Sequence, residues 1–272
     1  MNDGKIYKFK NEVLEFIGAD ILPTSGYLHQ RKWNTNKEND ITVIDKGDCT
    51  YTITLTLKGS LEQRKNMLNK ICDIFEYDCI VKTPGTLHYG DYKIKCYVIS
   101  SNTSVACIQT RTNIELGIYC PKQHWIKEKT YNLVMYSDSK NDIGIKQYSY
   151  CYPYVYSSLK GAVQIINDSL ADSDFIIRVY GPCSNPFIKI GEILYQVNTT
   201  LSAGEYMEIN SEENTIYAFS DYGEKRNLFN FRDKSRGDFF TKIPSGLSIA
   251  TWNGTFKAEI VIFDKRGEPR WI

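Results

Sequence analysis

Two residues near the middle of the chain could form a nucleophilic pair. Cys120 and His124 are close in sequence, and thiol enzymes place a thiolate beside an imidazole. An activated thiol also needs a third group that orients the base, and the sequence offers no candidate for it. Because Pro121 ends a predicted strand and Trp125 follows, we interpret both residues as core residues. We therefore expect no catalytic residue, and we predict that the protein is not an enzyme.

A short acidic segment could offer oxygen ligands to calcium. Its polar residues are Asn167, Asp168, Ser169, Asp172, Ser173 and Asp174. It lacks the glycine and the distal glutamate of an EF-hand loop, which favours a solvated turn. The histidines His29, His88 and His124 do not have the spacing of a zinc site. We expect no bound metal and no cofactor.

Aromatic and basic residues mix in one region, as they do in proteins that bind single-stranded nucleic acid. The phenylalanines are Phe229, Phe231, Phe239 and Phe240, and the basic residues are Arg226, Arg232, Lys234 and Arg236. Acidic residues interleave with them, so a surface loop is favoured. The sequence contains no phosphate-binding glycine loop and no G-x-S-x-G motif. It therefore lacks the usual motifs of nucleotide-binding proteins and of serine hydrolases.

The composition is that of a folded protein, with 42% hydrophobic and 24% charged residues in a chain of 272. This length suggests two domains. The net charge of +1 does not indicate a nucleic-acid partner. No apolar run approaches the ~20 residues of a membrane span, and the polar N-terminus lacks a signal-peptide core, so we expect neither membrane insertion nor secretion. The 8 cysteines form no C-x-x-C pair, and we interpret them as thiols in a reducing compartment.

The first half of the chain predicts strands around one helix. The segment from Cys49 to Lys58 alternates apolar residues with threonines, which is typical of a half-buried antiparallel strand. Ser60 and Gln63 form a capping box, and apolar residues then recur at helical spacing over about 60–76. We expect the helix to bury Leu61, Leu68, Ile71 and Phe75. A hairpin should follow, with its turn at Gly90 and Asp91.

The second half predicts a mainly β domain. Alternating tyrosines from Tyr148 to Tyr156 indicate an extended connection. Short strands with turn signals follow, as in a β-sandwich. Asn253 and Gly254 give the strongest hairpin signal, because both residues tolerate positive φ. We expect one domain over 1–127, the connection over 128–158 and the sandwich over 159–272.

Three stretches, in this order, resemble the distal tail proteins of phages with Gram-positive hosts. The first runs through Thr83-Pro84-Gly85 to Tyr119-Cys120-Pro121, the second contains Tyr180-Gly181-Pro182 and Leu201-Ser202-Ala203-Gly204, and the third runs from Asn227-Leu228-Phe229 through Trp252-Asn253-Gly254 to Glu268-Pro269-Arg270-Trp271. The resemblance covers the chain from about residue 40 to its end. The order and spacing of these motifs carry it, since each motif alone is common.

The resemblance implies a tail-tube-like β-barrel with one flanking helix, followed by a galectin-like β-sandwich. It implies a homo-hexameric ring in the virion that joins the tail tube to the tail-tip hub, with receptor-binding or baseplate proteins as further partners. DNA would pass only in transit through an axial channel. The loops around Phe229, Phe231, Phe239 and Phe240 are the expected docking site.

A rival hypothesis is a receptor-recognition module whose sandwich binds carbohydrate. The fold alone would not establish it. The second half contains no histidine, and its Trp252 adjoins a predicted turn, so protein docking is the favoured use of this domain.

Overall fold

The computed structural model describes residues 6–9, 12–16, 21–25, 28–38, 41–104, 111–135, 162–235 and 238–270. The chain divides into two compact units, one formed by Met1–Lys127 with Lys265–Ile272 and the other by Glu128–Asp264. Lys265–Ile272 thus groups with the first unit, although the sequence suggested that it closes the sandwich. The predicted connection, including its tyrosines from Tyr148 to Tyr156, lies mostly outside the described residues.

The first unit is built from strands and one helix. Its elements are β1 (Ile6–Phe9), β2 (Glu12–Glu15), β3 (Ile21–Ser25), β4 (Asn34–Glu38), β5 (Ile41–Asp45), β6 (Cys49–Lys58), α1 (Leu61–Val81), β7 (Gly85–Tyr89), β8 (Tyr92–Ser104) and β9 (Arg111–Cys120). The division between the units falls within β10 (Trp125–Leu133) and again within the last strand of the chain. The expected mainly β class is confirmed.

The strands of the first unit pair antiparallel in the order β2-β1-β7-β8-β9-β6-β3, while β4 and β5 form a separate hairpin. The pairing of β6 with β9 is the longest, and it runs in register from Cys49 opposite Cys120 to Lys58 opposite Arg111. Tyr51, Ile53, Leu55 and Leu57 are buried, as the alternation predicted. The threonine side of β6 forms the opposite face of the sheet.

The helix begins where the capping box predicted. Ser60 accepts a hydrogen bond from the Gln63 N–H, and the Gln63 side chain accepts one from the Ser60 N–H. The helix continues to Val81, beyond the predicted end near residue 76, and Lys82 then closes it in the left-handed conformation.

Two of the four predicted core residues of α1, Ile71 and Phe75, are buried, and Leu68 packs against the core in part. Leu61 is 61% exposed, so its predicted burial is wrong. Side chains of a helix lean toward its N-terminus, and a first residue therefore points past the end of the helix. Arg64 takes the buried position in this turn, where its guanidinium donates to the Thr112 hydroxyl at 2.8 Å.

The predicted hairpin is confirmed. β7 and β8 pair up to Tyr89 opposite Tyr92, and the two residues between them are Gly90 and Asp91. Gly90 has φ +55° and Asp91 does not have positive φ, which is the pattern of a two-residue hairpin turn of type II′ with glycine at its first position.

In the part of the second unit that the structure describes, the elements are strands and one 3₁₀ turn at Phe229–Phe231. The strands are β11 (Ala162–Asn167), β12 (Phe175–Tyr180), β13 (Cys183–Ser184), β14 (Phe187–Ile190), β15 (Ile193–Gln196), β16 (Thr200–Leu201), β17 (Tyr206–Asn210), β18 (Thr215–Phe219), β19 (Lys225–Asn227), β20 (Gly246–Thr251) and β21 (Lys257–Arg266).

Two sheets enclose the core of this unit. One sheet has the order β19-β18-β17-β12-β21, and the other has the order β11-β20-β14-β15. Inward residues from both sheets, such as Ile177 and Met207 from the first and Ile188 and Ala250 from the second, belong to one buried cluster. This arrangement is a β-sandwich.

The predicted hairpin at Asn253 and Gly254 is wrong. β20 pairs with β11 and β14, whereas β21 pairs with β12, so the segment between them crosses from one sheet to the other. Gly254 does have φ +75°, and the Asn253 side chain accepts a hydrogen bond from the Thr255 N–H. The segment therefore forms a local turn with positive φ at Gly254 but not at Asn253, and without the strand pairing of a hairpin.

Replacing Phe75 by alanine should destabilise the first unit by about 3–5 kcal/mol, because it leaves a cavity between α1 and the sheet. Leu61→Ala, on the same helix, should change the free energy of unfolding by less than about 0.5 kcal/mol. Urea unfolding followed by circular dichroism measures both values. Equal losses for the two variants would contradict the described packing of α1.

Candidate functional site

An open sheet edge lies at the second half of β8. Residues 97–104 of this strand pair with β9 on one side, while β7 reaches only as far as Cys96 on the other. Within the described residues, no strand pairs with the free side of this segment. The Cys79 thiol donates to the Val98 carbonyl at 3.5 Å, and residues 99–104 beyond it are all exposed. This edge offers unpaired backbone donors and acceptors to an added strand.

A groove runs beside this edge, between α1 and β8. It has a volume of about 330 Å³, and Phe75, Cys79, Val98 and Ile99 are among the residues that line it. Ile99 is 58% exposed. A strand that paired with the edge could place side chains in this groove, which is how strand addition usually gains specificity.

A second open edge lies at the far end of the same four strands. In the order β3-β6-β9-β8, β3 pairs with β6 and with no other described strand. Pro23 lies within β3, and proline in a sheet is confined to edge strands and bulges. Among the residues that the structure describes, the four-stranded segment thus has one open edge on each side.

One face of this segment is polar and the other is apolar. The apolar face is buried with α1 in one core. The polar face carries Thr50, Thr52 and Thr54 on β6, Asn113, Glu115 and Gly117 on β9, and Ser100, Asn102 and Ser104 on β8. Thr50, Thr52 and Glu115 are exposed. The central part of this face carries a single charge, on Glu115.

The predicted docking loop in the second unit is firmly held. The Asn227 side chain accepts from the Phe229 N–H at 2.9 Å, and the Asn198 N–H donates to the Phe231 carbonyl at 2.8 Å. The Tyr195 hydroxyl donates to the Thr241 carbonyl at 2.7 Å. Burial and the nearby Asp238 carboxylate raise the pKa of Tyr195 above its ordinary value, so the hydroxyl also remains a donor in alkaline solution.

The four predicted docking phenylalanines do not have equal exposure. Phe231 is 51% exposed, and Phe229 and Phe240 are half-buried with their rings stacked at 6.0 Å. The Arg232 guanidinium lies 3.8 Å from the centre of the Phe229 ring. Phe239 is buried against Tyr195, so its expected role as a docking contact is wrong. Its neighbours Asp238 and Thr241 are exposed and Phe240 is half-buried, so only the Phe239 side chain turns inward in this segment.

These residues surround an open depression of about 450 Å³. Its lining combines the stacked phenylalanines with Asn214, Arg232, Lys234 and Asp238. An apolar floor beside two cations and one carboxylate suits a protein surface with an exposed apolar side chain and an acidic neighbour.

A second surface of the sandwich is the outer face of its five-stranded sheet. Tyr180, Tyr206 and Phe219 lie opposite one another on three strands, with ring centres 6.1 and 4.9 Å apart. In the next row, Arg178 contacts Glu208 at 2.9 Å and Glu259 at 3.6 Å. These six residues form two neighbouring rows on the same face, and we call them together the outer row. The sequence already contained its signal, since Arg178 and Tyr180 alternate with buried residues in β12.

The structure places Cys120 in the core. Cys120 is fully buried, and its thiol contacts those of Cys49 and Cys96. The contact with Cys49 lowers the pKa of Cys120, but the contact with Cys96 and burial outweigh it, so the net pKa lies above its usual value. A buried thiol that stays protonated reacts slowly at neutral pH, unlike the activated thiol of an enzyme.

The acidic segment after β11 is used within the fold. The Asn167 amide donates to the carbonyls of Ile243 and Pro244 at 3.0 and 3.1 Å, and its oxygen accepts from Ser173. Asp174 forms an ion pair with Lys242 at 3.1 Å. Within the part of the chain that the structure describes, no group of three or more His, Cys, Asp or Glu side chains could hold a metal ion. No described helix combines the length and apolar composition of a membrane span.

Comparison with solved structures shows what this architecture is similar to. The Dit protein (gp 19.1) of phage SPP1, a paradigm of the hub adsorption apparatus in phages that infect Gram-positive bacteria, superposes with a TM-score of 0.58 at 9% identity, covering 98% of this chain and 100% of that one. The chain has the fold of phage hub and baseplate proteins. A chain of the phage P2 baseplate in its activated conformation with Ca gives 0.60 at 15% identity, and that with Sr gives 0.58 at 15%, each covering 98% of this chain and 99% of the other.

No family model and no curated protein matches the sequence. The likeness to the hub and baseplate proteins is therefore one of backbone architecture. At 9–15% identity, side-chain sites cannot be carried over from them.

The docking loop predicts a contrast between neighbouring phenylalanines. Phe239→Ala should destabilise the second unit by about 3–5 kcal/mol, because Phe239 fills the core beside Tyr195. Phe231→Ala should cost less than about 0.5 kcal/mol, since half of the side chain is in solvent. Thermal unfolding of both variants would test this, and a large loss of stability for Phe231→Ala would mean that the loop is a packing element.

Proposed function

We propose that the protein is a structural component of a phage tail tip. Copies of its first unit would pair edge to edge into a ring that joins the tail tube to the tail-tip hub. The likeness to hub and baseplate folds supports a place in the virion tail. The proposal requires no catalytic group, no cofactor and no metal.

The observation that carries the proposal is the pair of open edges. One copy can place its β3 edge against the β8 edge of the next, and each such contact leaves one edge of each kind for a further copy. A head-to-tail contact of this kind produces a ring when the rotation closes. Closure removes every open edge, which β proteins otherwise have to protect. Six copies is the number that the family resemblance implies.

The two faces of the sheet indicate which side would line the channel. The apolar face already packs against α1, so the polar face of β6, β9 and β8 remains for the lumen. The centre of this face is rich in threonine and serine and carries only the charge of Glu115, so it would hold DNA phosphates weakly, while Lys58, Lys93, Lys95 and Arg111 place cations toward its ends. This composition suits passage of DNA in transit.

The second unit would serve as the adaptor to neighbouring proteins. It is proposed to be galectin-like, and its anchored loop presents Phe231 beside the stacked Phe229 and Phe240. The proposed partners are the tail tube protein, the hub protein and receptor-binding or baseplate proteins.

Light scattering and electron microscopy of one purified peak test the ring directly. We expect a six-fold ring with α1 on the outside. Ile99→Lys should reduce assembly, because a lysine on an open strand edge opposes strand addition. Leu170→Lys is the matched control, since Leu170 is 87% exposed in the second unit and lies far from both edges in sequence.

Two outcomes would count against the proposal. One is a strict monomer over a wide concentration range that stays monomeric with tail-tube or hub protein. The other is a ring that Ile99→Lys leaves intact, which would mean that the copies associate through a different surface.

A second candidate function is recognition of carbohydrate by the sandwich. The outer row favours it, because half-exposed aromatic rings lie beside an arginine held between two carboxylates. Burial and a hydrogen bond to Glu259 raise the pKa of Tyr180, so its hydroxyl is kept as a donor. Such an array offers donors and acceptors next to apolar surface, as a polyol requires.

Binding to an array of bacterial surface polysaccharides tests this second function. Saturable binding that is lost in Arg178→Gln and kept in Phe231→Ala would support it. Binding that survives Arg178→Gln, or no binding to any polysaccharide on the array, would leave protein docking as the use of the second unit.

A further inference from the structure

Three thiols form a row across the middle of the first unit. Cys49 lies directly opposite Cys120 in the register of β6 and β9. Tyr97 lies opposite Tyr119, so the next pair places Cys96 beside Cys120 on the other side. Residues directly opposite in antiparallel strands have Cα atoms about 4.5–5.5 Å apart, which is within the range that disulfides bridge. All three are free cysteines.

We propose that Cys49 and Cys120 are an oxidation site that a low-molecular-weight disulfide such as oxidised glutathione converts into a cross-strand disulfide. The Cys49 thiolate attacks one glutathione sulfur and releases the first glutathione thiolate. The Cys120 thiolate then attacks the Cys49 sulfur and releases the second. Two cysteine thiols lose two electrons and two protons in total, and one oxidised glutathione becomes two reduced molecules.

The exposure of the three thiols decides which pair reacts. Cys49 is partly exposed, whereas Cys96 and Cys120 are fully buried, so an oxidant can reach only Cys49. Cys96 and Cys49 flank Cys120 on two different strands, about 9.6 Å apart, which is too far for a direct bond. Cys49 is therefore the entry thiol, which reacts first with the oxidant. Cys120 is the resolving thiol, which then closes the disulfide.

The thiols on α1 provide an internal comparison. Cys72 and Cys79 are both exposed, but they are two helical turns apart, at a distance of about 10.5 Å along the axis. They cannot bridge each other within one chain. The same oxidant should leave them as mixed disulfides with glutathione.

The disulfide would tie β6 to β9 and enclose α1, β7 and β8 in a covalent loop. Such a loop stabilises the folded state mainly by restricting the unfolded chain. The disulfide joins two strands of one copy, so it can form whether or not copies assemble into a ring. Under the proposed function, release of the virion from a reducing cytoplasm would allow the bond to form.

The reaction should be slow at neutral pH and faster at alkaline pH. The hydrogen bond with Cys120 and burial raise the pKa of Cys49, which keeps this thiol protonated at pH 7. Only the thiolate attacks a disulfide, so the rate should rise with pH.

The full chain, purified under reducing conditions, is incubated with oxidised glutathione and digested without reduction. Mass spectrometry should find the Cys49 peptide linked to the Cys120 peptide with the loss of two hydrogens. The urea midpoint of the first unit should shift upward and return after treatment with dithiothreitol. Cys49→Ser should lose both the link and the shift, whereas Cys183→Ser, which removes a partly exposed thiol of the second unit, should keep both.

Three results would overturn the proposal. One is the recovery of Cys49 and Cys120 as thiols while Cys72 and Cys79 carry glutathione, and another is a Cys49 that stops at the mixed disulfide. A link between Cys96 and Cys120 would also contradict it, because Cys96 would then be the entry thiol. Because dithiothreitol should reverse the urea shift in the chain without substitutions, the test does not depend on how well any variant folds.

Discussion

The pairing of β6 with β9 is the constraint on which the rest of the first unit depends. Ten residues of each strand pair without interruption. A slip of one residue would turn every side chain to the opposite face of the sheet. With this register, α1 packs against a continuous apolar face and the threonines of β6 lie on the opposite face. The thiols of Cys49 and Cys120 also lie opposite each other. The polar face of the sheet, the position of α1 and the row of three thiols thus follow from one register.

The open edges resemble strand edges that pair with another chain more than edges that are protected against pairing. Soluble β proteins usually guard an edge with lysine, proline or inward charges. Residues 99–104 read Ile-Ser-Ser-Asn-Thr-Ser and contain neither charge nor proline. Only the β3 edge has such a residue, Pro23, which lies in the middle of that five-residue strand beside a bulge. An edge that is long, uncharged and bordered by an apolar groove would be a liability in a permanent monomer.

Sequence reasoning succeeded where the signal was local. The capping box at Ser60 and Gln63 and the turn at Gly90 depend on neighbouring residues, and both occur as predicted. Asn253 and Gly254 gave an equally good local signal, yet their flanking strands joined different sheets, because sheet membership depends on long-range packing. Burial failed in the same way, since Phe239 and Phe240 are adjacent and equally apolar but lie on opposite sides of the loop. The open edge of β8 had no pattern to predict it, because it depends on where β7 ends.

The two parts of the functional proposal depend on different parts of the molecule. Ring closure needs backbone donors and acceptors at two edges, and these do not require particular side chains. Such an edge can persist among chains that share a fold at 9–15% identity. The docking loop and the outer row depend on Phe231, Arg178 and their neighbours, which one substitution can remove. The ring therefore depends on backbone groups, whereas the identity of the partner has to be read from the side chains of the second unit.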